Sequence, residues 1–233
     1  MSVAERLGAL RAHIMEAARA AGRDPAMVRL VAVSKLQPIE AVREAVAAGQ
    51  LDFGENYPQE LRDKARAVVP AAEGPVRWHF IGGLQRNKVK YVVGVCDLLH
   101  SVDSLSLAEE ISRRATTIGL VQPCLIQVNV GEEEQKSGCH ALELPELVDR
   151  MRELPGIELR GLMCIPPALP PEEVRPHFRR LAELATAERA RTGLPLPELS
   201  MGMSADYEVA IAEGATLIRV GTAIFGERPA KAP

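Results

Sequence analysis

Residues 3–20 place Leu7, Leu10, Ile14 and Ala17 three or four positions apart among charged neighbours, the spacing of one apolar helix face, and Gly22 and Pro25 end the run. Beyond it the pattern changes to short, strand-like apolar runs. They fall at 30–35 (LVAVSK), 52–57 (DFGENY), 77–82 (RWHFIG), 97–103 (DLLHSVD), 123–130 (PCLIQVNV), 157–165 (IELRGLMCI), 198–203 (ELSMGM) and 217–221 (LIRVG). Helical patterns separate most of them, such as 38–48, 104–117, 143–154 and 172–192, with a short helix after Asn87 and a compact one opening near Ala205. Eight strands alternating with helices predict an α/β fold, a single (β/α)8 barrel of the TIM type with an extra N-terminal helix. A doubly wound open sheet is the alternative. The lack of a Gly-x-Gly-x-x-Gly after the first strand and the count of eight units favour the closed barrel. The proline-rich 166–171 (PPALPP) reads as a loop, because the alternation resumes after it. Residues 1–233 are expected to form one domain, with a short C-terminal tail at 227–233.

Composition narrows the function. Hydrophobic residues make up 47% of the 233, enough for a sizeable core. A net charge of -3 without a basic block argues against nucleic acid and anionic membrane as partners. Glu5, Arg6, Arg11, Glu16 and Arg19 interrupt any signal-peptide core, and no apolar run is long enough to span a bilayer. The expected location is the cytoplasm. Cys96, Cys124, Cys139 and Cys164 form no Cys-x-x-Cys pair, so they are expected reduced in or near the core, with no metal site.

In a barrel of this type the downstream ends of the strands carry the chemistry. Lys35 ends the first strand, on the same face as Val31 and Val33. It reads either as a lysine snorkelling to water or as an amine desolvated enough to condense with a carbonyl. Only six of the 28 basic residues are lysines, which makes one at this rim informative. Ser204, and Gly221 with Thr222, stand after the seventh and eighth strands, where such barrels hold phosphate. Helix capping and turn formation are the plainer readings of the same residues. Arg219 lies inside the apolar eighth strand, so it needs an acceptor. Either a barrel acid pairs with it, or it donates to a pyridine nitrogen one strand from Lys35. Glu55 and Asn56 end the second strand, His79 reads as a satisfied core histidine, and Lys136 as a loop charge. His13, His100, His140 and His177 are scattered without metal spacing.

The segments VAVSK, FGENYPQE, WHFIGGLQRNK, KSG, LRGLMCIP and LSMGMSADYEVAIAEGATLIRVGTAIFG, spread over 31–226, together resemble the pyridoxal phosphate homeostasis protein family. That family's fold is similar to the N-terminal barrel of alanine racemase and of eukaryotic-type ornithine decarboxylase. The resemblance implies pyridoxal 5'-phosphate as cofactor, held as a Schiff base on Lys35. It puts the phosphate at Ser204, Gly221 and Thr222, the ring nitrogen at Arg219 and a further polar contact at Asn56. The implied role is buffering, storage or delivery of the cofactor, without catalytic turnover. Apo forms of pyridoxal phosphate enzymes are the expected partners, and the chain is expected to be a monomer. A racemase-like enzyme is the first rival. It needs an acid–base group from a second domain, and none is expected after the eighth strand. A cofactor-free Schiff-base aldolase is the second, separable by the absence of a visible absorption band.

Overall fold

The computed structural model describes residues 1–68, 74–133 and 137–226; Lys136 and the 227–233 tail lie outside the described residues. Eight strands form the centre: β1 (Arg29–Val33), β2 (Asp52–Glu55), β3 (Arg77–Phe80), β4 (Leu98–Val102), β5 (Gln122–Gln127), β6 (Ile157–Met163), β7 (Glu198–Ser200) and β8 (Leu217–Val220). Each pairs in parallel with the next, and β1 pairs with β8, so the sheet closes into a barrel. Around it lie α1 (Val3–Ala20), α2 (Ile39–Ala47), α3 (Pro58–Ala67), α4 (Leu105–Thr117), α5 (Leu144–Arg152), α6 (Pro171–Thr192), α7 (Tyr207–Ala212) and α8 (Thr222–Phe225). The connection from β3 to β4 carries a 3-10 helix, Arg86–Tyr91. The architecture is the (β/α)8 barrel with an extra N-terminal helix that the alternation predicts.

The two-residue alternation divides each strand between two apolar environments. Outward residues such as Leu30, Ala32, Phe53, Phe80, Leu99 and Ile218 join the helices in one continuous core. Inward residues Val31, Leu98, Leu125, Met163 and Leu217 form a separate cluster inside the barrel. Burying each such side chain contributes about 1.5–3 kcal/mol, so closing the barrel is favoured from both sides. The four cysteines are free and buried.

Helix α1 starts with a capping box: Ser2 Oγ accepts the Glu5 N–H, and Ser2 N–H donates to Glu5 Oε2 at 2.8 Å. It packs against α2, α7 and α8. Arg23 Nη1 donates to the carbonyls of Ile211 and Ala215, both at 2.7 Å. Because α8 is only one turn long, α1 covers the flank that a full eighth helix would occupy. Among the described residues no helix is long and apolar enough to cross a membrane.

Several strands end earlier than their apolar runs. β1 stops at Val33, so Lys35 stands two residues beyond the strand, not at its end. A turn takes over there, with Gln37 N–H donating to Ser34 O at 3.0 Å and Leu36 in the left-handed region at φ 61°. Asn56 likewise follows β2, and β7 keeps only three residues. Of the proline-rich 166–171, residues 166–170 form a loop between β6 and α6, whereas Pro171 opens α6.

Candidate functional site

The carboxyl ends of β1, β2, β3, β6, β7 and β8 surround a cavity of about 310 Å3. Lys35, Asn56, Ser204, Arg219, Gly221 and Thr222, the six residues singled out from the sequence, all line it. Val33, Ile81 and Ile165 supply apolar wall. Gly221 lies against β1: a Cβ there would stand 3.0 Å from the Val33 carbonyl oxygen. Gly82 is tighter still, since a Cβ would come within 2.2 Å of the Asn56 carbonyl, so these two loops pack backbone to backbone. That contact fixes Asn56, whose Oδ1 is buried with no protein hydrogen-bond partner.

Lys35 is half-buried on the turn after β1, and a buried ionic cluster holds that turn from behind. Lys64, on α3, donates to Ser34 O at 2.6 Å, Glu55 Oε1 at 2.7 Å and Glu60 Oε2 at 3.1 Å. Glu60 Oε2 also accepts the Leu36 N–H at 2.8 Å, and Ser34 Oγ donates to Glu55 Oε1 at 2.7 Å. A left-handed leucine costs on the order of 1 kcal/mol, and this cluster meets that cost at the residue next to Lys35. Burial raises the Glu55 carboxyl above its usual range, against the opposing attraction of Lys64. Lys64, which is 7% exposed, is not singled out in the sequence analysis. The available signal was Glu60 four residues earlier on the same helix face.

After β7 the turn 203–206 presents Ser204. Asp206 precedes α7 and accepts the Met203 N–H through Oδ1, so the helix opens at Tyr207, and Asp206 rather than Ser204 is its N-cap. Ser204 and Thr222 are exposed and line the cavity. Helix geometry leaves the first N–H groups of α8, at Thr222 and Ala223, without intrahelical acceptors.

Arg219 forms part of the cavity floor and is 4% exposed. Its Nη1 donates to Ser200 Oγ at 2.6 Å and its Nη2 to the Cys164 carbonyl at 2.9 Å. No barrel carboxylate shares a hydrogen bond with it among the described residues. Below it, His79 and His100 meet ring to ring, Nδ1 to Nε2, at 2.9 Å. The sequence reading of His79 as a satisfied core residue holds, while His100, read as scattered, is its direct partner. Burial, then the neighbouring charges, hold His100 well below the usual imidazole range. Strand pairing supplied the missing information: His79 sits opposite Leu98, and His100 is two residues further along the same inward face.

A closed barrel with a lysine at its mouth, a serine and a threonine on the β7 and β8 loops and an arginine in its floor defines the class. Residues 6–229 match the family described as "Alanine racemase, N-terminal domain". The pyridoxal phosphate homeostasis protein of Aquifex aeolicus is 46% identical over 229 residues, 98% of this chain and 99% of the relative. That of Pseudomonas aeruginosa is 47% identical, covering 100% of this chain and 98% of the relative. The structure of PipY from Synechococcus elongatus with PLP bound is 38% identical with a TM-score of 0.84, covering 97% of this chain and all of that one. The chain belongs to the pyridoxal phosphate homeostasis protein family.

Proposed function

We propose that this protein binds pyridoxal 5'-phosphate at the barrel mouth as a Schiff base on Lys35 and buffers, stores or delivers it, without catalysing a reaction of its own. The observation that carries the reading is the convergence of Lys35, Asn56, Ser204, Arg219, Gly221 and Thr222 on one cavity. The PLP-bound relative and the family names support the choice of cofactor.

The cofactor supplies an aldehyde that condenses reversibly with an amine, releasing water. Lys35 offers that amine from a turn fixed by Lys64, Glu55 and Glu60. The Ser204 and Thr222 hydroxyls, with the leading N–H groups of α8, suit a phosphate dianion. Arg219 can only donate, so it would leave a ring nitrogen facing it unprotonated and weakly electron-withdrawing. Ser204 and Thr222 are open to water, which favours exchange with amines from solution and leaves a reactive intermediate poorly sheltered. The cytoplasm, a monomeric state and apo-enzymes as recipients belong to the same proposal.

The test is to load the protein, record its visible spectrum and assay both transfer to an apo-enzyme and turnover of alanine, serine and ornithine. A visible band, measurable transfer and no turnover beyond that of free cofactor are expected. Sustained turnover that is lost in Lys35→Ala makes the protein an enzyme. A colourless protein removes the cofactor.

A further inference from the structure

The barrel interior holds a single file of polar side chains that starts at Arg219 and continues, beyond it, through residues the proposed cofactor chemistry does not use. Asp52 lies on β2, His79 on β3, His100 on β4, Ser200 on β7 and Arg219 on β8. The links are Arg219 Nη1 to Ser200 Oγ at 2.6 Å, Ser200 Oγ to His100 Nδ1 at 2.8 Å, His100 Nε2 to His79 Nδ1 at 2.9 Å and His79 Nε2 to Asp52 Oδ1 at 3.0 Å. The contact between His100 and Ser200 crosses the barrel, because β4 and β7 are not neighbours in the sheet. All five residues are buried. Asp52, with its partner Arg77, lines a second cavity at the opposite end of the barrel.

The two ends fix the direction of every proton. A guanidinium only donates, and an ionised carboxylate only accepts. Burial alone raises Asp52, but hydrogen bonds from His79 and Arg77 hold it well below the usual carboxylate range. His79 therefore donates from Nε2 to Asp52 and accepts at Nδ1. His100 donates to it from Nε2 and accepts at Nδ1 from the Ser200 hydroxyl, whose oxygen accepts from Arg219. Both imidazoles are then neutral Nε2–H tautomers, and every link carries one proton. In the reversed file His79 would donate from both nitrogens as a cation, and Ser200 would receive two donors. The forward file avoids a third buried charge in the barrel.

We propose that this file makes Asp52 the remote counter-ion of Arg219, with Ser200, His100 and His79 as positioning residues that aim the guanidinium at the floor of the cofactor cavity. A buried guanidinium without a compensating charge is costly, and a directed chain of polarised hydrogen bonds transmits part of the carboxylate's effect. Asp206 attracts the guanidinium directly through space, while Asp52 divides its charge between His79 and Arg77. The effect on cofactor rests on the binding site proposed above; the direction of the file does not.

Two-bond 1H–15N NMR of the histidine rings, without added cofactor, reads the tautomers. His79 and His100 are both expected to carry a proton at Nε2 and to accept at Nδ1, with the His100 signals changed in Ser200→Ala. His100 as the Nδ1–H form, or either ring as imidazolium, overturns the directed file. A second arm titrates pyridoxal phosphate into Asp52→Asn, which keeps an acceptor for His79 but removes the charge. About fivefold to tenfold weaker binding and a shifted visible band are expected, with thermal unfolding followed alongside. An unchanged affinity and band in the folded variant overturn the counter-ion role. If Asp52→Asn does not fold, Ser200→Ala is read by the same two criteria. A wild-type protein that shows no visible band refutes the cofactor site, while the tautomers still decide the file.

Discussion

Replacing Lys64 by methionine removes a buried ammonium and nearly preserves its volume. The side chain is 8% exposed and its partner Glu55 is fully buried, so solvent screening does little to weaken the pair. Three hydrogen bonds disappear, those to Ser34 O, Glu55 Oε1 and Glu60 Oε2. Breaking one side of a buried pair costs about 3–5 kcal/mol, and Glu55 Oε2 already lacks a partner. Proton uptake by Glu55 limits the loss, which places the expected destabilisation near 3 kcal/mol at pH 8. The sign of its pH dependence follows from the carboxyl. Burial already raises Glu55 above its ordinary value of 4.5, and losing Lys64 raises it further. The folded state then holds its proton at pH values where the unfolded state has released it, so stability falls as pH rises from about 4.5 through the folded pKa. Each additional unit of upward displacement adds about 1.4 kcal/mol to the deficit at high pH. Urea unfolding at pH 5 and pH 8 measures this, and the variant should lie much closer to wild type at pH 5. The double variant Lys64→Met, Glu55→Gln should recover most of the loss and its pH dependence. An equal deficit at both pH values, or none at pH 8, would falsify the assignment of this cluster as the support of the Lys35 turn.

The other consequences concern the cavity. Ser204→Ala and Thr222→Ala should each weaken pyridoxal phosphate binding by about 1–2 kcal/mol and hardly affect pyridoxal; calorimetric titration that finds equal losses for both ligands removes the phosphate role. Inorganic phosphate should compete with the cofactor in the same titration. Gly221→Ala should destabilise the fold by about 1–3 kcal/mol, because the new methyl group meets the Val33 carbonyl at 3.0 Å; unchanged thermal stability means that β1 yields there at little cost. Lys35→Ala should unfold like wild type, since the side chain is only half-buried on a turn outside the strand, and a large drop in melting temperature contradicts this.

The closed barrel was legible because periodicity alone distinguishes eight buried strands from the helices between them. Their ends were less so. The strand-like run 30–35 includes Ser34 and Lys35, but only the left-handed Leu36 and the Glu60 carboxylate show that β1 gives way to a turn after Val33. Arg219 announced itself as a charge within an apolar strand, and Lys35 as a rare lysine at a rim. The support behind each did not. Lys64 looks like any helical lysine until α3 is laid against the Ser34 carbonyl. His100 and Ser200 are a hundred residues apart, and only barrel closure sets their side chains 2.8 Å apart. Residues that act by reaching the cavity lie at predictable ends of strands. Residues that act on those residues depend on contacts across the fold.

Borohydride reduction of the cofactor-loaded protein, followed by peptide mapping, tests the central claim most directly. Reduction converts a Schiff base into a stable secondary amine and so marks the lysine that carried it. The expected result is one pyridoxyl group per chain, on Lys35, with no incorporation in Lys35→Ala. Label chiefly on Lys136 or another lysine, or a protein that takes up none, contradicts the assignment of Lys35 as the cofactor-bearing amine.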